Sequence, residues 1–344
     1  MNTKRFLVIC LAVISCASLT ANAISTAALR LTTMPQAAPV AHASGPPSAH
    51  LLIEGLQGAS GSAIGPDGAL YVTEGALGRI TRVDPRSGAR TTFASGLPPA
   101  VIPGLGGAID VAFLGRTAYA LVTLVGPDVG GSDVVGLYRV DGPNRFTVVA
   151  DLGEFAVQNP PKTPFDVPTG LQYALQAYGG GFLVTDGHHN RVLRATRDGS
   201  VTEAIAFENI VPTGLAIWGS FVFMAQAGPV PHLPEDGKVV VFHPRWPSAR
   251  EVASGGRLLV DVEVGRGPTL YALSQGDFPD DGPPAAPALP NTGALLKVNL
   301  NGTFTVVTGG LNQPTSLEFI GTTAYVVTLG GEIWTIDLRR HPRW

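Results

Sequence analysis

Apolar and polar positions alternate in short runs along most of this chain, and the runs come in groups of four. Residues 60–97, SGSAIGPDGALYVTEGALGRITRVDPRSGARTTFASGL, and 169–210, TGLQYALQAYGGGFLVTDGHHNRVLRATRDGSVTEAIAFENI, are the clearest groups. Gly, Asp-Gly or Pro turns separate the runs, which predicts strands joined as four-stranded meanders. A third copy, TGLAIWGSFVFMAQAG (213–228), continues through GKVVVFHP to AREVASGG. Aligning the second run of each copy sets Tyr71, Tyr119, Leu183, Phe223, Tyr271 and Tyr325 in one column. The mean period, about 51 residues, is in the range of propellers and solenoids.

The outer copies are incomplete in complementary ways. The last, PTSLEFIGTTAYVVTLGGEIWTIDL (314–338), has three strands, and HLLIEGL (50–56) ahead of the first copy is a lone strand. That strand resembles the fourth runs FTVVADL (146–152) and FTVVTGGL (304–311). Pairing the lone strand with the last copy would close a ring and remove the exposed sheet edges. The expected fold is therefore all-β, a six-bladed propeller of four-stranded antiparallel blades spanning residues 49–344.

Composition fits many short strands with frequent turns. Gly 43 and Pro 29 are abundant among 344 residues, and only 14% are charged, below the usual roughly 25%. Net charge is −3 and no Lys/Arg cluster is present, which argues against a nucleic-acid partner. Met1 to Ala23 has the form of a signal peptide: Lys4-Arg5, the apolar run Phe6–Ile14, then Ala21-Asn22-Ala23 as a small-residue cleavage site. The run is too short for a transmembrane segment. Export to the periplasm or the exterior is expected; Val13-Ile14-Ser15-Cys16 also resembles a lipobox, so lipid anchoring through Cys16 is the alternative. Both cysteines, Cys10 and Cys16, lie within this segment, leaving the remainder without thiol chemistry. Residues 24–48, rich in Ala, Pro and Ser, are expected to form a disordered spacer.

Long loops at 124–135, 153–167, 226–237 and 275–292 are all expected on one face, crowding one rim where a small molecule, glycan or protein could bind. Aligning the Thr-Gly-Leu positions of the innermost strands gives Gly61, Asp110, Gly170, Gly214, Asp261 and Ser316. The preceding column is Ser60, Ile109, Thr169, Thr213, Val260 and Thr315. Asp110 and Asp261 thus fall in blades 2 and 5, opposite each other in a six-membered ring. They could hold Ca²⁺, which takes roughly six to eight oxygen ligands, or instead cap backbone N–H groups at the strand starts. His188, His189 and Asn190 follow the second strand of blade 3, where a histidine could serve as a general base or simply form a turn. Glu74 and Gln226 share the column of Asp186, which suggests a repeated structural role. No nucleophile, phosphate-loop or zinc motif is present. Asn301-Gly302-Thr303 matches a glycosylation acceptor but sits where Asn-Gly makes a hairpin turn.

GPDGALYVTEG (65–75), PTGL followed by FLVTDGHHNRVLRATRDG (168–199), VPTGLAI (211–217) and TGALLKVNLNGTFTVVTGGLNQPTSL (292–317) together resemble the ScyD/ScyE family, bacterial proteins related to NHL-repeat propellers. The resemblance implies an exported six-bladed propeller and supplies no reaction. Calcium-dependent lactonases of the gluconolactonase/regucalcin type carry acidic or amide ligands just before a Gly in several innermost strands. The positions that correspond here, Ser60, Ile109, Thr169, Thr213, Val260 and Thr315, include none. The leading expectation is a binding or scaffold propeller with His188, His189, Asn190, Thr169 and Thr213 as candidate ligand contacts. The alternative is a metal-assisted hydrolase or lyase acting on a cyclic or aromatic metabolite through Asp110 and Asp261.

Overall fold

The computed structural model describes residues 49–280, 282 and 286–340; the signal and spacer expected over 1–48 lie outside them. Twenty-four strands form six antiparallel four-stranded sheets. β1 (Ala49–Ile53) stands ahead of blade 1, which is β2–β5 (Ala59–Ile64, Leu70–Glu74, Arg79–Val83, Arg90–Ser95). Blade 2 is β6–β9 (Gly107–Leu114, Thr117–Thr123, Gly136–Gly142, Arg145–Asp151), followed by the short helix α1 (Leu152–Gln158). Blade 3 is β10–β13 (Gln172–Tyr178, Gly181–Asp186, Arg191–Ala195, Val201–Ala206) and blade 4 is β14–β17 (Pro212–Trp218, Phe221–Gln226, Lys238–His243, Trp246–Ser254). Blade 5 is β18–β21 (Leu259–Val264, Leu270–Ser274, Gly293–Val298, Phe304–Leu311), and β22–β24 (Pro314–Ile320, Thr323–Thr328, Ile333–Asp337) begin blade 6.

The first strands of successive blades touch in the cyclic order β2, β6, β10, β14, β18, β22 and back to β2. The architecture is a closed six-bladed β-propeller. β1 completes blade 6 by pairing with β24, His50 opposite Thr335 and Leu51 opposite Trp334. Beyond it, Leu56 N–H donates to Gly331 O at 3.0 Å and the Leu56 side chain is buried.

Alternation explains where the core sits. Each strand sends side chains to both faces of its sheet, so every blade is apolar toward both neighbours, and the buried residues form one seam per blade pair. Tyr71, Val111 and Val122 lie between blades 1 and 2, and Tyr119, Phe182 and Val184 between blades 2 and 3. Leu183, Val192 and Met224 fill the next seam, and Leu56, Val72 and Tyr325 seal blade 6 against blade 1. Burying one such side chain stabilises by about 1.5–3 kcal/mol. Strand-two-to-three loops and interblade loops share one face, so 124–135, 153–167, 226–237 and the described part of 275–292 leave the sheets on the same side. Among the described residues no helix is long and apolar enough to cross a membrane.

One register differs from the sequence expectation. β10 starts at Gln172, and Gln172 pairs with Asp186, just as Ala59 pairs with Glu74 and Pro212 with Gln226. The innermost-strand columns in blade 3 are therefore held by Tyr173 and Ala174, not by Thr169 and Gly170. The Thr-Gly-Leu run at 169–171 is a turn before the strand: Gly170 has φ +78° and its N–H donates to Val167 O. The insertion of α1 and its following loop delays entry into blade 3, and Asp128 of blade 2 captures Thr169 before the strand begins.

Candidate functional site

Asp110 and Asp261 occupy equivalent places three blades apart. Val111 N–H donates to Asp110 Oδ1 at 2.8 Å, and Leu175 N–H, on the innermost strand of blade 3, donates to Oδ2 at 2.7 Å. Asp261 repeats this with Val262 N–H at 2.8 Å and Leu317 N–H of blade 6 at 2.7 Å. A side chain on Gly61 would collide with the Asp110 carboxylate, and one on Gly214 with that of Asp261; in both, the preceding blade makes room with a glycine. Burial pushes the Asp110 carboxyl well up, with the charge of Asp261 adding, although the two N–H donors oppose the shift. Burial likewise pushes Asp261 up to about 7 against its two donors.

Glu263 and Glu318 join them. Both are partly accessible by area, although protein packs around them on the innermost strands of blades 5 and 6. Burial, then the Glu318 and Asp261 charges, push Glu263 well up; burial and the charges of Asp261 and Asp110 do the same to Glu318. The four carboxyls favour shared protons over full ionisation. As a Ca²⁺ centre the set fits poorly: each aspartate already takes two backbone N–H groups. No three acidic, His or Cys side chains among the described residues are gathered closely enough to hold a metal.

The blade 3 loop carries a second polar cluster. Asp186, at the end of β11, is fully buried and accepts from Arg191 Nε at 2.9 Å and from Gln172 Nε2 at 3.2 Å. Arg191 also donates to Asn159 O at 2.7 Å and lies 5.5 Å from the Phe155 ring centroid, so α1 and its C-terminal end pack onto it. His189 Nε2 donates to Val167 O at 2.9 Å, and its Nδ1 lies 3.1 Å from both Arg191 Nη2 and Asp186 Oδ2. Blade 1 has the same pair in the same register, Arg79 Nε donating to Glu74 Oε1 at 2.7 Å. Arg191 sits opposite Asp186 in that register, as Lys238 sits opposite Gln226 in blade 4. Asp186 is thus the blade 3 version of a repeated anchor. Asn190, at φ +55°, accepts from Ile210 and Val211 N–H at 2.9 and 3.0 Å and donates to Thr163 Oγ1.

Beside this buried layer His188 is half-buried, next to the start of the innermost strand of blade 3. Its Nε2 lies 3.3 Å from Tyr173 Oη. Burial lowers the His188 pKa; the charges of Asp186 and Asp166 oppose that, and the neighbouring His189 and His232 add to it. Burial also holds the Tyr173 hydroxyl protonated, so the phenol donates and the neutral imidazole accepts. His232, from the blade 4 loop, donates through Nδ1 to Gly228 O at 2.8 Å and meets Phe278 of the blade 5 loop edge-on at 5.0 Å. Burial lowers its pKa as well.

Of the sequence-predicted contacts, His188 meets Tyr173, while His189 and Asn190 hold the loop itself and Thr213 is used between blades. The Thr213 hydroxyl donates to Leu259 O at 2.9 Å and ties blade 4 to blade 5, as Thr315 ties blade 6 to Ser60 of blade 1 at 2.8 Å. Thr169 donates through N and Oγ1 to Asp128 Oδ2, at 3.1 and 2.7 Å. Sequence reasoning missed Tyr173, His232, Glu263 and Glu318. The two glutamates were visible as acids two places after the aligned column in LVDVEV and PTSLEFI.

No protein-family model matches the chain, and no curated protein matches it. Solved structures do resemble it. A gluconolactonase from Xanthomonas campestris superposes with TM-score 0.58 at 13% identity, covering 84% of this chain and 89% of that one. Virginiamycin B lyase from Staphylococcus aureus gives 0.52 at 12%, covering 84% and 98%. A chain of the nidogen/laminin complex gives 0.54 at 14%, covering 79% and 89%. At these identities the likeness shows the propeller fold alone.

Proposed function

We propose that this protein is an exported propeller of the ScyD/ScyE type that binds a small, uncharged polar molecule at the channel mouth, on its loop-rich face. Met1–Ala23 would direct export. The observation that supports this reading is the His188–Tyr173 pair: with the phenol donating to Nε2, the Tyr173 oxygen remains as a neutral acceptor and His188 Nδ1–H as a neutral donor. The ion pair and hydrogen bonds beneath it fix the loop, so the pair is pre-organised and little ordering entropy is lost on binding.

The hydrolase or lyase alternative would need a metal on Asp110 and Asp261, and no observation favours it. The structural neighbours include enzymes as well as a binding complex, and so do not choose between the readings. A thermal-shift screen against neutral cyclic and aromatic metabolites tests the proposal, with hydrogen exchange mapping each hit. Hits should protect 153–167, 187–190 and 226–237 and be lost in His188→Ala. Hits that survive that substitution and protect the opposite face would overturn it.

A further inference from the structure

The face opposite the long loops carries a surface that the channel mouth does not use. At the lower tip of blade 4, Trp218 pairs with Phe221 across the β14–β15 turn, and His243 pairs with Trp246 across the β16–β17 turn. Phe221 and His243 meet edge-on at 6.1 Å, and His243 and Trp246 lie at 4.5 Å with 35° between their planes. Directly paired residues project from the same side of a sheet, so the four rings make one row across the whole blade. Three of the four are exposed: Trp218 46%, Phe221 47% and Trp246 62%. Exposed aromatic clusters of this kind mark interaction sites.

On the other side of the same tip, a cleft of about 390 Å³ opens between blades 3 and 4, with Tyr178, Ile217, Arg194 and Arg245 among its walls. Arg194 and Arg245 are exposed, and neither guanidinium has an ion-pair or hydrogen-bond partner among the described residues. Two uncompensated guanidiniums in one concave site, on a chain of net charge −3, call for an anionic occupant. Guanidinium forks match carboxylates in plane and in spacing. Flat aromatic rings offer apolar faces suited to the C–H face of a sugar.

We infer that the lower tip of blade 4 binds an acidic oligosaccharide, with carboxylates on Arg194 and Arg245 and sugar rings against the aromatic row. Cleft and row lie on opposite sides of the tip, so the occupant must be a chain of several sugars that crosses it. The guanidiniums and the aromatic row lie on opposite sides of the tip, which disfavours a flat membrane surface engaging both.

Isothermal titration of the full-length protein with a hexagalacturonate tests this, with maltohexaose as the neutral control. The acidic hexamer should bind at least about tenfold more tightly, since charge-assisted pairs carry the difference. Arg194→Gln/Arg245→Gln should remove that preference. Trp246→Ala should weaken binding severalfold, and raising salt from about 0.05 to 0.5 M should weaken it by screening. All substituted residues are exposed, and unchanged melting will confirm that the variants fold. His188→Ala should leave this binding untouched, which separates the test from that of the channel mouth. Equal binding of both hexamers, binding unchanged in the double Arg variant, no binding, or binding seen only to an acidic peptide or to phosphatidylglycerol vesicles would each overturn the inference.

Discussion

Four carboxyls on the innermost strands, Asp110, Asp261, Glu263 and Glu318, act on one another through their charges. Among the described residues no hydrogen-bond donor stabilises the Glu318 charge, so burial and the Asp261 and Asp110 charges act on it unopposed. Its folded pKa lies above its unfolded one, so the folded state holds the proton more tightly. Its contribution to stability is complete below about pH 4.3 and is lost as pH rises through the folded value. Glu318→Gln mimics the protonated acid. Its melting temperature should match the parent at pH 4 and exceed it at pH 8 by about 2–4 °C. An equal gain at both pH values would mean that packing, not charge, is responsible. At this scale the sequence disclosed unusual residues more readily than their work. Asp110 and Asp261 stood out as acids in a column of small and hydroxyl side chains. That each would reach a backbone N–H of the next blade depends on how closely the blades approach, and spacing along the chain does not carry that. Tyr173 stayed hidden because a Thr-Gly-Leu run four residues earlier imitated the repeat.

At the scale of elements, the hairpin between β11 and β12 acts as a bracket. Asn190 adopts a left-handed conformation, which Asn tolerates better than most residues, and its side-chain oxygen takes both N–H groups at the entrance to β14. Loss of those bonds would leave two part-buried donors unsatisfied, each costing about 1–3 kcal/mol. Asn190→Ala should therefore destabilise by at least about 2 kcal/mol, with backbone strain adding to the lost bonds. Asn190→Gly should recover the strain but not the bonds. Urea midpoints of the two variants check this; identical losses would assign the whole effect to hydrogen bonding. Most elements were legible because Asp-Gly and Gly-Gly turns punctuate alternating runs such as ALYVTEG and GFLVTDG. β10 was the exception, since α1 and the following loop lengthen the entry to blade 3. A repeat fixes register only where its connections keep constant length.

For the molecule as a whole, six blades make six apolar seams, and no blade can bury both faces alone. That interdependence makes the ring legible: a period near 51 residues, three strands at one end and a single strand at the other fit one closed arrangement. It also makes closure by β1 a property of the whole ring. Removing residues 49–57 would leave β24 with an unpaired edge and take Leu52, Ile53 and Leu56 from the seam between blades 6 and 1. Leu56 is buried against Val72 and Ile333, and truncating such a side chain alone costs about 2–5 kcal/mol. Loss of the strand should lower the melting temperature of the entire propeller, with every seam reporting the same midpoint. Tryptophan fluorescence, which reports Trp218 and Trp246 in blade 4 and Trp334 beside β1 together with Trp344 outside the described residues, should shift together with far-UV circular dichroism. A peptide spanning 49–57, added to the truncated protein, should recover part of the stability as its concentration rises. If the truncated ring instead unfolded in two steps, with the blade 4 signal unchanged, the blades would be separate cooperative units and β1 would guard only its own sheet.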